Sequence, residues 1–117
     1  MHIQRADYTV EKGWYLGPWN SRIDIAIGYA HCGIDEPHLH TVLHEVYLVA
    51  QGRSTVRVEQ QTLELKAGDV LVLEPGEAHT FLDYSNDYFH FVIHTPGMAG
   101  ETAGAEKRTA DRARLGL

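Results

Sequence analysis

Through most of the chain, apolar side chains recur at every second position. RIDIAIGYA (22–30) places Ile23, Ile25, Ile27 and Tyr29 on one face and Asp24, Ala26, Gly28 and Ala30 on the other. That period predicts a strand, with the isoleucine face inward. HEVYLVA (44–50), RSTVRVE (53–59) and TLEL (62–65) repeat the pattern between the turn signals Gln51-Gly52, Gln60-Gln61 and Ala67-Gly68-Asp69. VLVLE (70–74) is almost wholly apolar, as in a strand covered on both sides. His79–Leu82 re-enters a strand, and YFHFVIH (88–94) is the last strong one. Its Phe89, Phe91 and Ile93 are expected to face the core. Tyr88, His90, Val92 and His94 are expected at a partner subunit or the mouth of a cavity.

These runs make about eight short strands, with turn signals about every eight to twelve residues, the rhythm of sandwiches and barrels. A small all-β jelly roll in one domain suits a chain of 117 residues. Residues 1–21 form an N-terminal segment expected to be irregular, with Trp14 and Trp19 placed as a lid or an edge cover. The barrel is expected over residues 22–97. Residues 98–117, rich in Ala, Gly and charge, are compatible with a short helix or a disordered tail.

The net charge of −6 disfavours phosphate backbones and anionic lipid, so neither nucleic acid nor membrane is an expected partner. The single cysteine, Cys32, excludes an internal disulfide. MHIQRADYTV carries no apolar signal-peptide core, and a cytoplasmic location is expected.

The chemistry gathers in EPHLHTVLHE (36–45). Pro37 forces an extended or turned backbone before His38. His38 and His40 then share one strand face, about 6–7 Å apart, so both imidazoles can reach one ion. Glu45 has the opposite parity and can join them only if residues 41–44 turn or bulge.

On these residues the sequence resembles the cupins. Their first motif runs Gly, a gap, His-x-His, three or four residues, Glu, six residues, Gly. Here it reads Gly33, a gap of four where five is usual, His38-Leu39-His40, Glu45 and Gly52. The second motif is a Gly-Asp turn, an apolar strand, Pro-Gly, two residues and His. Here it reads Gly68-Asp69, VLVLE, Pro75-Gly76 and His79. Where the common form has Pro and Asn, this chain has Glu74 and Asp83.

The resemblance implies a single-domain cupin-type jelly-roll β-barrel, with His38, His40, Glu45 and His79 as metal ligands. Three imidazoles and a carboxylate suit one divalent transition ion: iron, manganese, nickel, cobalt or zinc. Positions left open on such an ion favour catalysis over a structural role. The implied function is metal-dependent chemistry on a small organic molecule, of dioxygenase or Lewis-acid type. The alternatives are a sugar isomerase or epimerase, and a non-catalytic binding module. Tyr47, His44 and His90 are the candidate catalytic groups, and Tyr47, Phe81 and Tyr29 the candidate pocket walls. His44 has the opposite parity to Glu45 and is also expected at the surface or behind a ligand. Val46 and Leu48, apolar and outward, are expected to support a homodimer.

Overall fold

The computed structural model describes residues 1–117. Two antiparallel five-stranded sheets face each other as one mostly-β domain. The first has the order β1-β2-β9-β4-β7, built from Lys12–Leu16, Ala26–Ala30, Phe89–Thr95, His44–Gln51 and Val70–Leu73. The second has the order β10-β3-β8-β5-β6, built from Lys107–Thr109, His38–His40, His79–Tyr84, Arg53–Val58 and Gln61–Lys66.

The predicted alternation is clearest in β4, where Glu45, Tyr47 and Val49 are buried and His44, Val46 and Leu48 are half-buried on the other side. In β5, Ser54, Val56 and Val58 are buried in the same way. The inner faces close over a core that includes Tyr47, Val56, Leu73, Phe81 and Tyr88. Gly52 ends β4 at a positive φ of 75°, where a Cβ would strike Ser85 Oγ at 2.4 Å. A side chain there would meet both strain and a clash.

Cross-strand register fixes what faces inward. Ala26, His94, Glu45 and Leu73 lie opposite one another across the first sheet, and Gly28, Val92, Tyr47 and Leu71 form the next row. The outward rows are Ile27, Ile93, Val46 and Val72, and then Tyr29, Phe91, Leu48 and Val70.

This register corrects two expectations. Tyr88, just before β9, and His90, Val92 and His94 within it face inward; of the three residues expected in the core Phe89 is buried, while Phe91 and Ile93 are only half-buried on the outside. In β2 the small residues Ala26, Gly28 and Ala30 face inward: Ala26 and Ala30 line the cavity, and the space over Gly28 is taken by the Trp14 ring. Apolarity alone points both faces the wrong way, because an outer sheet face can be apolar while the inner one holds a polar site.

Three further differences concern the edges. The N-terminal segment is not wholly irregular: Lys12–Leu16 pairs with β2 as an edge strand. VLVLE is not covered on both sides, since Val70 and Val72 are 56% and 49% exposed at the other edge. Beyond residue 97 the chain forms a short helix α1 (Gly100–Glu106), then β10, then a 3₁₀ turn (Arg112–Leu115). Leu115 packs with Ala78, Ala110 and Leu39, and Arg57 Nε donates to the Leu115 carbonyl at 2.6 Å. These contacts dock the C-terminal segment on the second sheet.

Candidate metal centre

Glu45, near the start of β4, is buried in the barrel interior, 3% exposed. His40 ends β3, residues 41 and 42 bend, and β4 restarts at His44. That bend resets the parity and turns Glu45 to the same side as His38 and His40. His79 opens β8 directly opposite His38. Gly33 lets the preceding segment lie against Phe81, whose ring would be 2.7 Å from a Cβ at that position.

Four imidazoles converge on the carboxylate. The Nε2 atoms of His38, His40 and His79 lie 3.8, 3.1 and 2.8 Å from its oxygens. His94 Nε2 contacts Oε2. Two three-donor groups result: His38, Glu45 and His79 around one oxygen, and His40, Glu45 and His94 around the other.

The far side of each ring decides what its Nε2 presents. His38 Nδ1 lies 2.7 Å from the carbonyl of Glu36, and His79 Nδ1 lies 3.1 Å from the carbonyl of Glu77. His40 Nδ1 lies 2.6 Å from Glu106 Oε1. Carbonyls and carboxylates only accept, so these three Nδ1 atoms carry the hydrogens. A neutral ring then turns a bare Nε2 lone pair toward Glu45, which is also an acceptor. His40 Nε2 is buried and makes no hydrogen bond despite its 3.1 Å approach to Glu45. Lone pairs facing lone pairs in a buried space require a cation between them, either added protons or a metal ion. The donor set fits a divalent transition metal, with each ligand ring held from behind as metal-binding histidines are.

The electrostatics agree. Burial opposes charge on Glu45, but the close imidazoles of His38, His40, His79 and His94 outweigh it once they carry protons and hold the carboxyl well below its ordinary range. Burial likewise opposes charge on His40, but Glu45 and Glu106 outweigh it and raise its pKa.

Beside the cluster lies a cavity of about 740 Å³. His38, His40, Glu45 and His94 form its polar floor, and Trp14, Trp19, Ile34, Phe81, Val92 and Met98 are among its apolar walls. Trp14 packs on the His94 ring with centroids 4.4 Å apart. Trp19 folds over Gly17. Both indoles are about half exposed and border the cavity, so they form part of its wall.

The remaining predicted residues divide. Tyr47 is buried at the cavity and donates its hydroxyl to Glu45 Oε1 at 2.8 Å. Burial, with the Glu45 charge beside it, pushes its pKa well up, so it stays protonated. Phe81 lines the cavity and stacks on His90. His90 is buried in the wall, its Nδ1 accepting from the Tyr88 hydroxyl at 2.7 Å. Burial pushes its pKa down to about 4, so it is neutral.

Of the roles expected for His44, the structure gives the surface one and not the catalytic one. Strand alternation carries it to the outer surface, where it pairs with Glu74, away from the cavity. Tyr29 needs qualifying: it touches the cavity margin, but its parity is that of Ile27, and its hydroxyl is engaged by the Asp7 backbone. Two residues outside the predicted set belong at the centre. His94 was expected at a partner subunit or the cavity mouth, and strand register brings it to the cavity and onto Glu45, whereas Glu106, 66 positions from His40, had no local signal.

Residues 29–94 match the family model described as the cupin domain. Pac13 from Streptomyces, a nucleoside dehydratase, is similar in structure with a TM-score of 0.66 at 11% identity, over 92% of this chain and 83% of its own. KdgF from Halomonas sp. has a TM-score of 0.62 at 18% identity, over 81% of this chain and 88% of its own. A cupin 2 conserved barrel domain protein from Salinispora arenicola has a TM-score of 0.65 at 14% identity, over 81% and 88%. At such identities the likeness is one of fold. No curated protein matches the sequence.

Proposed function

The chain belongs to the cupin family, and from that premise we propose that it is a metal-dependent enzyme acting on a small, largely apolar organic molecule. The ion would be held by Nε2 of His38, His40 and His79 and by the Glu45 carboxylate. One observation carries this reading: three Nε2 atoms, stripped of hydrogen by acceptors behind them, meet one acceptor-only carboxylate. A divalent ion bound there supplies Lewis acidity, and iron also supplies dioxygen chemistry.

The chain's own residues do the rest. Tyr47 fixes Glu45 by its hydrogen bond and, being protonated, takes no proton from a ligand. Trp14, Trp19 and Phe81 hold the ligand's apolar body and exclude water. His94 differs from the three ligand histidines: its Nε2 rests on Glu45 Oε2, and its ring is held by Trp14 rather than by an acceptor at Nδ1. It borders the cavity and is our choice for the group that holds and transfers a proton at Nε2. The protein would work as a homodimer joined through the outer apolar rows around Val46 and Leu48.

A second reading, a binding module without turnover, is favoured by one observation. His90 and Tyr47 are locked in their neutral forms, leaving His94 as the main acid–base group at the cavity. Untagged protein should be analysed for metal and titrated with iron, manganese, nickel, cobalt and zinc ions. The loaded forms should then be screened against catechols, diols and heterocycles for product and for oxygen uptake. Stoichiometric metal with product formation supports the enzyme. Tight ligand binding without product supports the module, and no uptake of any ion overturns the metal centre.

A further inference from the structure

The family match ends at residue 94, yet one side chain that touches the site comes from well beyond it. Glu106, the last residue of α1, is 5% exposed. Its Oε1 accepts from His40 Nδ1 at 2.6 Å, and its Oε2 accepts from the backbone N–H groups of Val42 and Leu43 at 3.0 and 3.1 Å. Its own carbonyl accepts from the backbone and the hydroxyl of Thr41. The next residues form β10 against β3, pairing Lys107 with His40 and Thr109 with His38. One carboxylate therefore holds the ring of His40 and the bend that lets Glu45 face inward.

The choice of partner matters chemically. His38 and His79 lean on backbone carbonyls two residues back, so their tautomers are set wherever the local chain folds. His40 has no such local partner. Without Glu106 its proton could move to Nε2 and bond to Glu45 Oε2, 3.1 Å away. That tautomer offers no lone pair to an ion. We propose that Glu106 is a positioning residue of the metal centre, which holds the hydrogen of His40 on Nδ1 and so keeps Nε2 free to bind. The inference rests on the metal reading given above. It also makes the C-terminal segment part of the centre, since Met98, Ala99 and Ala103 of that segment border the same cavity.

The test uses Glu106→Gln in the full chain, with cobalt(II) as probe. Competition against a chelator should show affinity about ten- to a hundred-fold weaker, the range typical of losing such a partner. Nitrogen NMR of the metal-free protein at alkaline pH should show His40 with Nδ1–H in the wild type, and a shift toward Nε2–H in the variant. Thr41→Val, which loosens the same segment but leaves the carboxylate, should keep both the tautomer and the cobalt absorption bands. Unchanged affinity and tautomer in Glu106→Gln would overturn the proposal. So would wild-type His40 carrying Nε2–H, a readout that stands even if the variant fails to fold. Wild-type protein that takes up no cobalt would instead sink the metal reading, and the tautomer would still decide the role of Glu106.

Discussion

His40 and His90 are both buried in the same barrel, and they are driven in opposite directions. His40 faces a carboxylate at each nitrogen, Glu106 behind and Glu45 in front, and its pKa is raised. His90 meets a hydroxyl donor, with Phe81 stacked on it and Tyr47 at its edge, and its pKa falls to about 4. Burial is common to both, so burial does not decide. The neighbours do: burial pushes both imidazoles down, Glu45 and Glu106 together outweigh it at His40, and at His90 the more distant Glu45 charge alone does not. One histidine is thus prepared for a cation, and the other serves as wall.

The largest predicted effect breaks the first half of this contrast. Glu45→Gln removes the charge on which four imidazoles converge and should abolish stoichiometric metal binding, measured by elemental analysis after dialysis. It should also remove the rise in melting temperature that metal gives the wild type. Retained metal would show that the histidines bind without the carboxylate.

The next effect sharpens the contrast through pH. The folded pKa of His90 lies below its ordinary value of 6.5, so the unfolded chain takes up its proton first as the pH drops. Its contribution is intact above about pH 6.5 and is lost progressively toward pH 4, by about 3 kcal/mol in all. His40 has the opposite sign: its raised pKa stabilises the metal-free fold below pH 6.5, and that gain fades as the pH rises through the folded value. Urea unfolding of metal-free protein should therefore show a stability maximum near the ordinary histidine pKa. Gln at position 90 still accepts from Tyr88 but does not titrate, so His90→Gln should flatten the acid limb alone. An unchanged acid limb would mean that His90 is charged in the fold.

How far this could be read in advance follows from the length scale of each signal. Period-2 runs and turn residues are local, so strands β4 to β8 were visible in the sequence. His38, His40 and Glu45 lie within one short stretch, and His79 was added to them by the resemblance to the second cupin motif. The inward face of β9 was misread because Phe89, Phe91 and Ile93 are more apolar than Tyr88, His90 and His94. Only the pairing of His94 with Glu45 shows which face meets the site. Glu106 lay in a stretch whose Ala, Gly and charge resemble a solvated tail. Its burial depends on the docking of Leu115 and on β10 pairing, which no short window of sequence contains.

Tyr47→Phe should cost about 2 kcal/mol in metal-free protein, the worth of a hydrogen bond to a charged acceptor, seen as a lower urea midpoint at unchanged slope. The smallest effect belongs to a third histidine, one residue from Glu45. His44 is on the outer face, its side chain 44% exposed and paired with a Glu74 side chain that is 62% exposed. Exposed pairs of this kind are worth little, so His44→Ala should change stability by less than about 1 kcal/mol. It should leave metal uptake untouched, although the residue lies inside the histidine-rich stretch. The alternation of β4 demands this result, because Glu45 and His44 cannot both face inward on one regular strand. A loss of metal in His44→Ala would mean that β4 slips by one residue in the loaded protein, which would turn Tyr47 and Val49 out of the core as well.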